Sequence, residues 1–135
     1  MRPMSYKKLN LKEDVQDSAV KFGYAPDMEA RFPSQDLELE QGGMGYERYS
    51  PNFRVPFGHT HKGQEEVYVI ASGSGRLKLD DDIVEVRQWD AIRVAPSVMR
   101  CFEAGPDGLE VVAFGAPKME NPAEDAEMRP GWWSD

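Results

Sequence analysis

The feature of this sequence that most constrains its fold is a series of short segments in which apolar and polar residues alternate. The series runs from Pro33 to Phe114, and turn-forming residues interrupt it about every eight to twelve positions. Twelve glycines and ten prolines among 135 residues supply many of these interruptions and leave little room for long helices. This rhythm is typical of antiparallel strands, so we expect an all-β protein.

We predict about nine strands joined by short turns. The predicted strands are residues 37–40, 46–49, 55–61, 66–71, 76–79, 83–86, 91–94, 99–103 and 109–114. The predicted turns are residues 42–43, 50–52, 73–75, 80–82, 95–97 and 105–108. The turn at 73–75 is expected to close a hairpin. Because so many short strands cannot bury both faces of one flat sheet, the sequence predicts a sandwich or a closed barrel.

The N-terminal segment differs from this alternating region. Apolar residues recur at helical spacing between residues 10 and 22, and Asn10 with Glu13 has the spacing of a capping box. Gly23 and Pro26 then end the pattern. We expect a short helix or an irregular arm here.

The C-terminal tail is rich in proline and acidic residues and has no apolar period before Trp132 and Trp133. An extended segment points adjacent side chains to opposite sides, so at least one of these tryptophans is expected to dock on the barrel or on a partner subunit. We therefore expect a single domain, 1–135, made of an N-terminal arm (1–34), a β-barrel core (35–115) and an extended tail (116–135).

The charge of the chain argues against two classes of partner. Twenty-four acidic residues against sixteen basic ones give a net charge of −8, which repels phosphate backbones and anionic lipid headgroups. Neither nucleic acid nor a membrane is therefore expected as a partner. Residues 1–12 contain no apolar run of the kind a signal peptide needs, so we expect a cytoplasmic protein.

The two histidines of the chain stand close together, at His59 and His61. Because side chains at i and i+2 share one face of a strand, the two imidazoles should lie side by side. A turn after His61 can bring Glu65 or Glu66 back alongside them. The alternation of the following strand favours Glu66, with Tyr68 behind it on the same face. Two neutral imidazoles and one carboxylate bind iron, manganese, nickel, zinc or copper, so the sequence predicts a site for a divalent transition metal ion.

Residues 58–73 read Gly-His-Thr-His-Lys-Gly-Gln-Glu-Glu-Val-Tyr-Val-Ile-Ala-Ser-Gly. This segment resembles the first motif of the cupin superfamily, which is His-x-His, three or four residues, Glu, six residues and Gly. Glu66 and Gly73 stand at the last two motif positions. With a second-motif-like segment at 89–104, the resemblance covers most of residues 37–114. It implies a cupin-type double-stranded β-helix, which is a jelly-roll barrel, commonly a homodimer with its metal inside the barrel.

The chain departs from the family pattern at two places. Phe53 stands where the first motif has an early glycine. The second motif usually supplies a histidine as a fourth ligand, but residues 96–101 here read Pro-Ser-Val-Met-Arg-Cys. Counting from the proline puts Cys101 at the histidine position. Counting back from Phe102, whose ring should face the core, puts Arg100 there, and we favour this second alignment.

An arginine cannot bind a metal ion, so two arrangements stay open. In one, three ligands hold the ion, and Arg100 faces an anionic group of a substrate with two parallel hydrogen bonds. In the other, Arg100 pairs with Glu66 in a metal-free barrel. If Cys101 faces inward instead, its thiolate would favour a softer metal such as zinc.

The resemblance and these residues together imply a metal-dependent enzyme that is oxygenase-, isomerase- or lyase-like and acts on a small polar or anionic molecule. Tyr68 would support Glu66 or donate a proton to the substrate, and Arg100 would orient an anionic group. The alternative is a non-catalytic small-molecule-binding or sensory protein, with or without a metal.

Overall fold

The computed structural model describes residues 5–135, so the first four residues of the predicted N-terminal arm lie outside the described residues. The described part of the chain forms eight strands and three helices of one turn each. The strands are β1 (Met28–Arg31), β2 (Gly43–Tyr49), β3 (Phe57–His61), β4 (Glu65–Leu79), β5 (Asp82–Arg87), β6 (Ala91–Val94), β7 (Arg100–Ala116) and β8 (Ala126–Pro130). The helices are α1 (Leu11–Asp14), α2 (Ser18–Lys21) and α3 (Pro122–Asp125).

Strand β7 organises the sheet because it pairs along both of its edges. Its second half pairs antiparallel with β2 on one side and with the first half of β4 on the other. Its first half pairs with the second half of β4 and meets β3 where His59 lies opposite Arg100. Strands β1, β5, β6 and β8 then extend the sheet by pairing with β2, β4, β4 and β3, respectively. The sheet curls around a single apolar interior, and the predicted all-β class is confirmed.

Strands β4 and β7 are longer than the sequence predicts because each continues through a predicted turn. Residues 73–75 do not close a hairpin, so that prediction is wrong, and residues 105–108 do not separate two strands. Gly73 has a φ of 80°, and a Cβ atom there would lie 2.1 Å from the carbonyl oxygen of Gly108. Glycine therefore allows the two strands to bend past each other where any side chain would clash.

One predicted strand is wrong, and two strands, β1 and β8, were missed. Residues 37–40 form turns instead, because the N–H of Leu37 donates to the carbonyl of Pro33 at 2.8 Å and Glu38 adopts a φ of 57°. Strand β8 lies in the predicted extended tail and pairs with β3. Strand β1 lies in the predicted N-terminal arm and pairs with β2 along its whole length. Four residues beside a helical pattern are too short a run to indicate a strand.

The remainder of the predicted arm forms the two helices α1 and α2. The side chain of Asn10 accepts the N–H groups of Lys12 and Glu13, as expected of an N-cap. Asp14, rather than Glu13, accepts the N–H of Asn10 in return. No helix within residues 5–135 has the length and apolar character needed to cross a membrane.

Residues from the inner face of the sheet and from the tail together form the hydrophobic core. Ile70 and Leu77 of β4 and Phe102 of β7 are among its most buried members. Trp133 is only 6% exposed and packs into the same cluster, which confirms the expectation that one of the paired tryptophans docks on the barrel. The tail is therefore part of the folded domain.

Candidate metal centre

His59 and His61 lie on the same face of β3 and point into the barrel. Their ring centroids are 5.1 Å apart, and the ring planes are nearly perpendicular at 83°. The side chains are 23% and 11% exposed, respectively, so the barrel shields both imidazoles from most of the solvent. Strand β3 is held between β7 and β8, which places His59 opposite Arg100 on one side and Met128 on the other. The two rings are thus fixed by strands on both edges.

Glu66, near the start of β4, completes a cluster of three potential ligands. Its Oε1 lies 3.1 Å from Nε2 of His61 and 3.6 Å from Nε2 of His59. Metal–ligand bonds of about 2.0–2.2 Å place neighbouring ligand atoms roughly 3–3.5 Å apart, so these separations suit a single ion. Glu65 is 55% exposed beside Arg93, so Glu66 is the acid that lies beside the histidines.

The turn after His61 does not make β4 a hairpin partner of β3. Strand β3 pairs with β7 and β8, whereas β4 pairs with β5, β6 and β7. Glu66 therefore approaches the histidines across the barrel interior, because β8 from the tail occupies the edge of β3 that a hairpin would have used.

Arg100 points into the cluster and is 1% exposed. Its Nη1 donates to Oε1 of Glu66 at 2.6 Å. Its Nε donates to the carbonyl of Val98 at 2.9 Å, and its Nη2 donates to the carbonyls of Ala95 at 2.7 Å and Pro96 at 3.4 Å. Because a guanidinium has five N–H groups, little of it is left for a substrate. The bidentate contact with a substrate that the sequence suggested is therefore not how Arg100 is used in this structure.

Cys101 faces away from the cluster. Strand alternation separates it from Arg100, and the next residue, Phe102, turns inward with its ring edge-on to Tyr68 at 5.1 Å. The thiol of Cys101 donates to the carbonyl of Val55 at 3.2 Å. Burial raises the pKa of this thiol to about 12, so it stays protonated and is not a metal ligand.

Tyr68 lies behind Glu66, as the alternation suggests, and its hydroxyl donates to Oε1 of Glu66 at 2.7 Å. Burial and the charge of Glu66 raise the pKa of Tyr68 well above its usual value. The phenol therefore keeps its proton and is a permanent donor at this site.

Burial and charge also set the protonation of the three potential ligands. Burial alone would raise the pKa of Glu66, but contacts with His59, His61 and Tyr68 outweigh it and lower the pKa below its ordinary value. Burial lowers the pKa of His59 despite the nearby charge of Glu66. Burial opposes charging of His61 too, yet Glu66 and Asp125 raise its pKa. The cluster thus holds the ionised carboxylate of Glu66 beside the imidazole of His59, which favours its neutral form.

The Nε2 atom of His61 is buried and has no hydrogen-bond partner. Nδ1 of the same ring lies 2.9 Å from a carboxylate oxygen of Asp125, which can only accept, so Nδ1 carries the proton and Nε2 presents a lone pair. That lone pair faces Oε1 of Glu66, which is also an acceptor. A cation between the two atoms removes this conflict, and either a divalent ion or a second proton on the ring supplies one. The donor set fits a divalent transition metal ion.

Asp125 is a site residue that the sequence analysis missed. It ends α3, 64 residues after His61 in the chain, and is 4% exposed. Several acidic residues surround it in the tail, so composition gives no reason to select this one. Only the three-dimensional docking of the tail brings it to the histidine.

Glu47 is a second missed residue, on the core face of β2. Its cross-strand partners Ala30 and Val111 are both buried core residues, and the hydroxyl of Tyr49 donates to its carboxylate. Burial raises the pKa of Glu47 to about 7, and the charge of Glu66 adds to this effect. A signal was present in the sequence, since Glu47 alternates in phase with Tyr49.

The Glu47→Gln variant is expected to be more stable than the wild type at pH 8 but not at pH 4.5. In the unfolded chain the carboxyl loses its proton near its ordinary pKa of 4.5, whereas the folded protein holds it to about 7. Wild-type stability therefore falls as the pH rises between these values, by at most about 3 kcal/mol. Glutamine removes this cost because it does not ionise. Urea unfolding at both pH values measures the difference.

Glu110→Gln is the matched control, because Glu110 lies on the neighbouring strand and its pKa is shifted in the opposite direction. Hydrogen bonds from Ser72 and Tyr46 lower the pKa of Glu110, so its substitution should cost stability at pH 8. An equal stability change for Glu47→Gln at both pH values would show that Glu47 does not titrate in this range.

A surface concavity of 690 Å³ lies elsewhere on the molecule, between residues that include Ser74, Arg76, Glu85 and Glu103. It is open, is lined by both polar and apolar groups and contains none of the clustered residues. We therefore place the candidate site at the cluster, where the side-chain chemistry converges.

Comparison with known proteins shows relatives in structure but not in sequence. No protein-family model matches the chain, and no curated protein matches it. A cupin protein from Bacteroides fragilis is 22% identical with a TM-score of 0.69, over 88% of this chain and 90% of that chain. The polyketide cyclase RemF from Streptomyces resistomycificus is 20% identical with a TM-score of 0.70, over 96% of this chain and 87% of that chain.

A third similar structure is a variant of oxalate decarboxylase from Bacillus subtilis. It is 17% identical with a TM-score of 0.76, over 94% of this chain and 33% of that chain. The chain therefore spans about one third of the length of that enzyme.

The curled sheet and its interior cluster define the class of protein first: an all-β jelly-roll barrel with two histidines and a glutamate gathered inside it. The similar structures then identify which jelly-roll fold it is. The chain has the cupin fold, as the resemblance at residues 58–73 implies.

Proposed function

We propose that this protein binds a divalent transition metal ion through His59, His61 and Glu66 and acts on a small polar or anionic molecule beside it. The observation that carries the proposal is the buried Nε2 of His61, which lacks a hydrogen-bond partner and faces the carboxylate of Glu66 at 3.1 Å. Buried polar atoms in native proteins rarely stay unpaired. A second proton on the ring or a divalent ion would pair this one, and the convergence of three potential ligand atoms within 4.8 Å of one another supports the ion.

When bound at this position, such an ion polarises a substrate oxygen or activates water or dioxygen. The protein's own residues prepare the site. Tyr68 and Arg100 hold Oε1 of Glu66 in place, at 2.7 and 2.6 Å. The single O–H of Tyr68 is committed to Glu66, so Tyr68 supports this potential ligand. Arg100 adds a charged hydrogen bond to the same oxygen and is itself fixed by the carbonyls of Val98 and Ala95.

The proposal extends to an enzyme of oxygenase-, isomerase- or lyase-like type. Two of the structures similar to this chain are named as enzymes, an oxalate decarboxylase and a polyketide cyclase. Because one fold supports many reactions, this likeness supports enzymatic activity in general and selects no substrate.

The test is the metal content of tag-free protein purified without chelators, followed by reconstitution of chelator-treated protein with Mn²⁺, Fe²⁺, Ni²⁺, Cu²⁺ and Zn²⁺ in turn. We expect about one ion per chain and a higher melting temperature with the ion that binds best, since a ligand that binds only the folded state stabilises it. Failure of all five ions to bind or to raise the melting temperature would refute the metal proposal.

One observation favours a second candidate function, capture of a small molecule without a metal. The 2.6 Å contact between Arg100 and Glu66 already neutralises the carboxylate. A protein that binds none of the ions, yet is stabilised by small carboxylic acids in a thermal-shift screen, would have this function instead.

We also propose that the protein is a cytoplasmic homodimer. The resemblance to cupins, which are commonly dimeric, supports the homodimer, and Phe114, which is 49% exposed on β7, is a candidate contact residue. Light scattering coupled to size-exclusion chromatography measures the oligomeric state.

A further inference from the structure

We infer that the C-terminal segment, residues 117–135, is part of the metal centre, with Asp125 as a positioning residue for His61, so that docking of this segment and ion binding strengthen each other. The inference rests on the proposed metal function. It assigns to the tail a role that the three potential ligands alone do not reveal.

The carboxylate of Asp125 bridges the ligand and the turn that follows it. Its Oδ2 lies 2.9 Å from Nδ1 of His61, and its Oδ1 accepts the N–H of Gly63 at 2.7 Å. Its backbone carbonyl accepts the N–H of Lys62 at 2.9 Å. These three contacts come from one buried residue, so the turn 61–63 is clamped to the end of α3.

The contact at Nδ1 determines which nitrogen of His61 faces the cluster with a lone pair. A neutral imidazole has one N–H, and a carboxylate at Nδ1 holds that N–H there. Nε2 is then left as the donor atom toward Glu66. A carboxylate in this position also fixes the rotation of the ring and increases its strength as a ligand.

The rest of the segment is anchored to the same strand that carries the two histidines. Strand β8 pairs with β3 over its length, with Met128 opposite His59 and Ala126 opposite His61. Trp132 packs directly on Gly58, where a Cβ atom would lie 2.6 Å from the indole ring. The segment is thus attached along the whole of β3, which carries both histidines, and not at Asp125 alone.

Trp133 fixes the far end of the segment. Its ring lies under two guanidinium groups, 4.4 Å from Arg54 and 5.1 Å from Arg76. Arg54 also donates to the carboxylate of Asp135 at 2.6 Å. An ion that prefers the docked arrangement must stabilise docking by the same factor by which docking strengthens ion binding.

The test compares Asp125→Ala with the wild type by calorimetric titration of chelator-treated protein with Ni²⁺ and, separately, Mn²⁺. We expect the variant to bind about 10–100-fold more weakly, as is usual when the carboxylate partner of a ligating histidine is removed. Asp125→Asn keeps an acceptor oxygen without the charge and should fall between the two. Glu124→Ala is the matched control, because it removes the same charge from an exposed neighbour in α3 and should bind as the wild type does.

Hydrogen exchange of residues 126–130, with and without the ion, supplies a readout that a purely structural role would not change. In the wild type and in Glu124→Ala the ion should slow the exchange of these amides. In Asp125→Ala the ion should slow exchange less, by the same factor by which the substitution weakens ion binding. Near-ultraviolet circular dichroism of the tryptophans verifies that each variant is folded.

Equal ion affinity in Asp125→Ala and the wild type would overturn this inference and leave the proposed metal site intact. Absence of ion binding in the wild type would refute both. Ion binding with no effect on exchange of 126–130 in the wild type would show that the segment is not coupled to the site.

Discussion

A His59→Ala, His61→Ala double variant is expected to bind no divalent transition metal ion under conditions in which the wild type binds about one per chain. The two imidazoles supply two of the three clustered ligands, and they are the only histidines in the sequence. The remaining carboxylate of Glu66 is held by Arg100 at 2.6 Å, and a single carboxylate that is already paired with a cation does not retain an ion. Elemental analysis of tag-free protein measures the loss.

Two adjacent acids provide a matched control for this result. Glu66→Gln keeps both histidines but removes the third ligand, so it should weaken ion binding severely. Glu65→Gln removes the same charge one residue earlier, on the exposed face, and should leave binding unchanged. Circular dichroism and a cooperative melting curve establish that the double variant is folded. Equal metal content in the folded double variant and the wild type would eliminate the cluster as the site.

Replacing Arg100 by histidine is expected to tighten ion binding by at least about 10-fold. The substitution removes a charged hydrogen bond to Glu66, of about 1.5–3 kcal/mol, that competes with the ion for the carboxylate. It also adds a neutral imidazole on the inward face of β7, opposite His59 in the strand register. The cupin pattern to which this chain is similar has a histidine in this part of its second motif. Competition with a chromophoric chelator measures the affinity.

Two further variants separate the ligand effect from a general change in the barrel. Arg100→Lys keeps the positive charge beside Glu66 and should not tighten binding. Cys101→Ser alters the next residue, which faces away from the cluster, and should bind as the wild type does. If Arg100→His folds but binds no more tightly than the wild type, then Glu66 is not a ligand or residue 100 does not reach the ion.

The sequence was informative about this fold wherever one face of a strand is buried and the other exposed. Alternation located most of the strands, and it correctly put Glu66 and Tyr68 on the same side as the histidines. It failed where a strand bends without ending. The segments around Gly73 and Gly108 have the amino-acid composition of turns. In the structure, these glycines instead allow two strands to bend past each other.

The candidate site was predictable only as far as its residues are close in the chain. His59, His61 and Glu66 span eight positions, so strand geometry alone could bring them together. Arg100 was found because Phe102 marks the inward face of its strand. Asp125 could not be found in this way, since its contact with His61 depends on how the tail docks, and a tail with many acids contains no local pattern that selects one.

Both ends of β7 lie next to Glu66, one through its backbone and the other through a side chain. Gly115 lies opposite Glu66 in the sheet, and Arg100, at the other end of the strand, reaches Glu66 with its guanidinium. The bend of β7 near residues 105–108 lies between these two ends, so it affects how Arg100 is positioned relative to Glu66. An insertion or a glycine substitution there would move Arg100 relative to Glu66 without changing any side chain of the cluster.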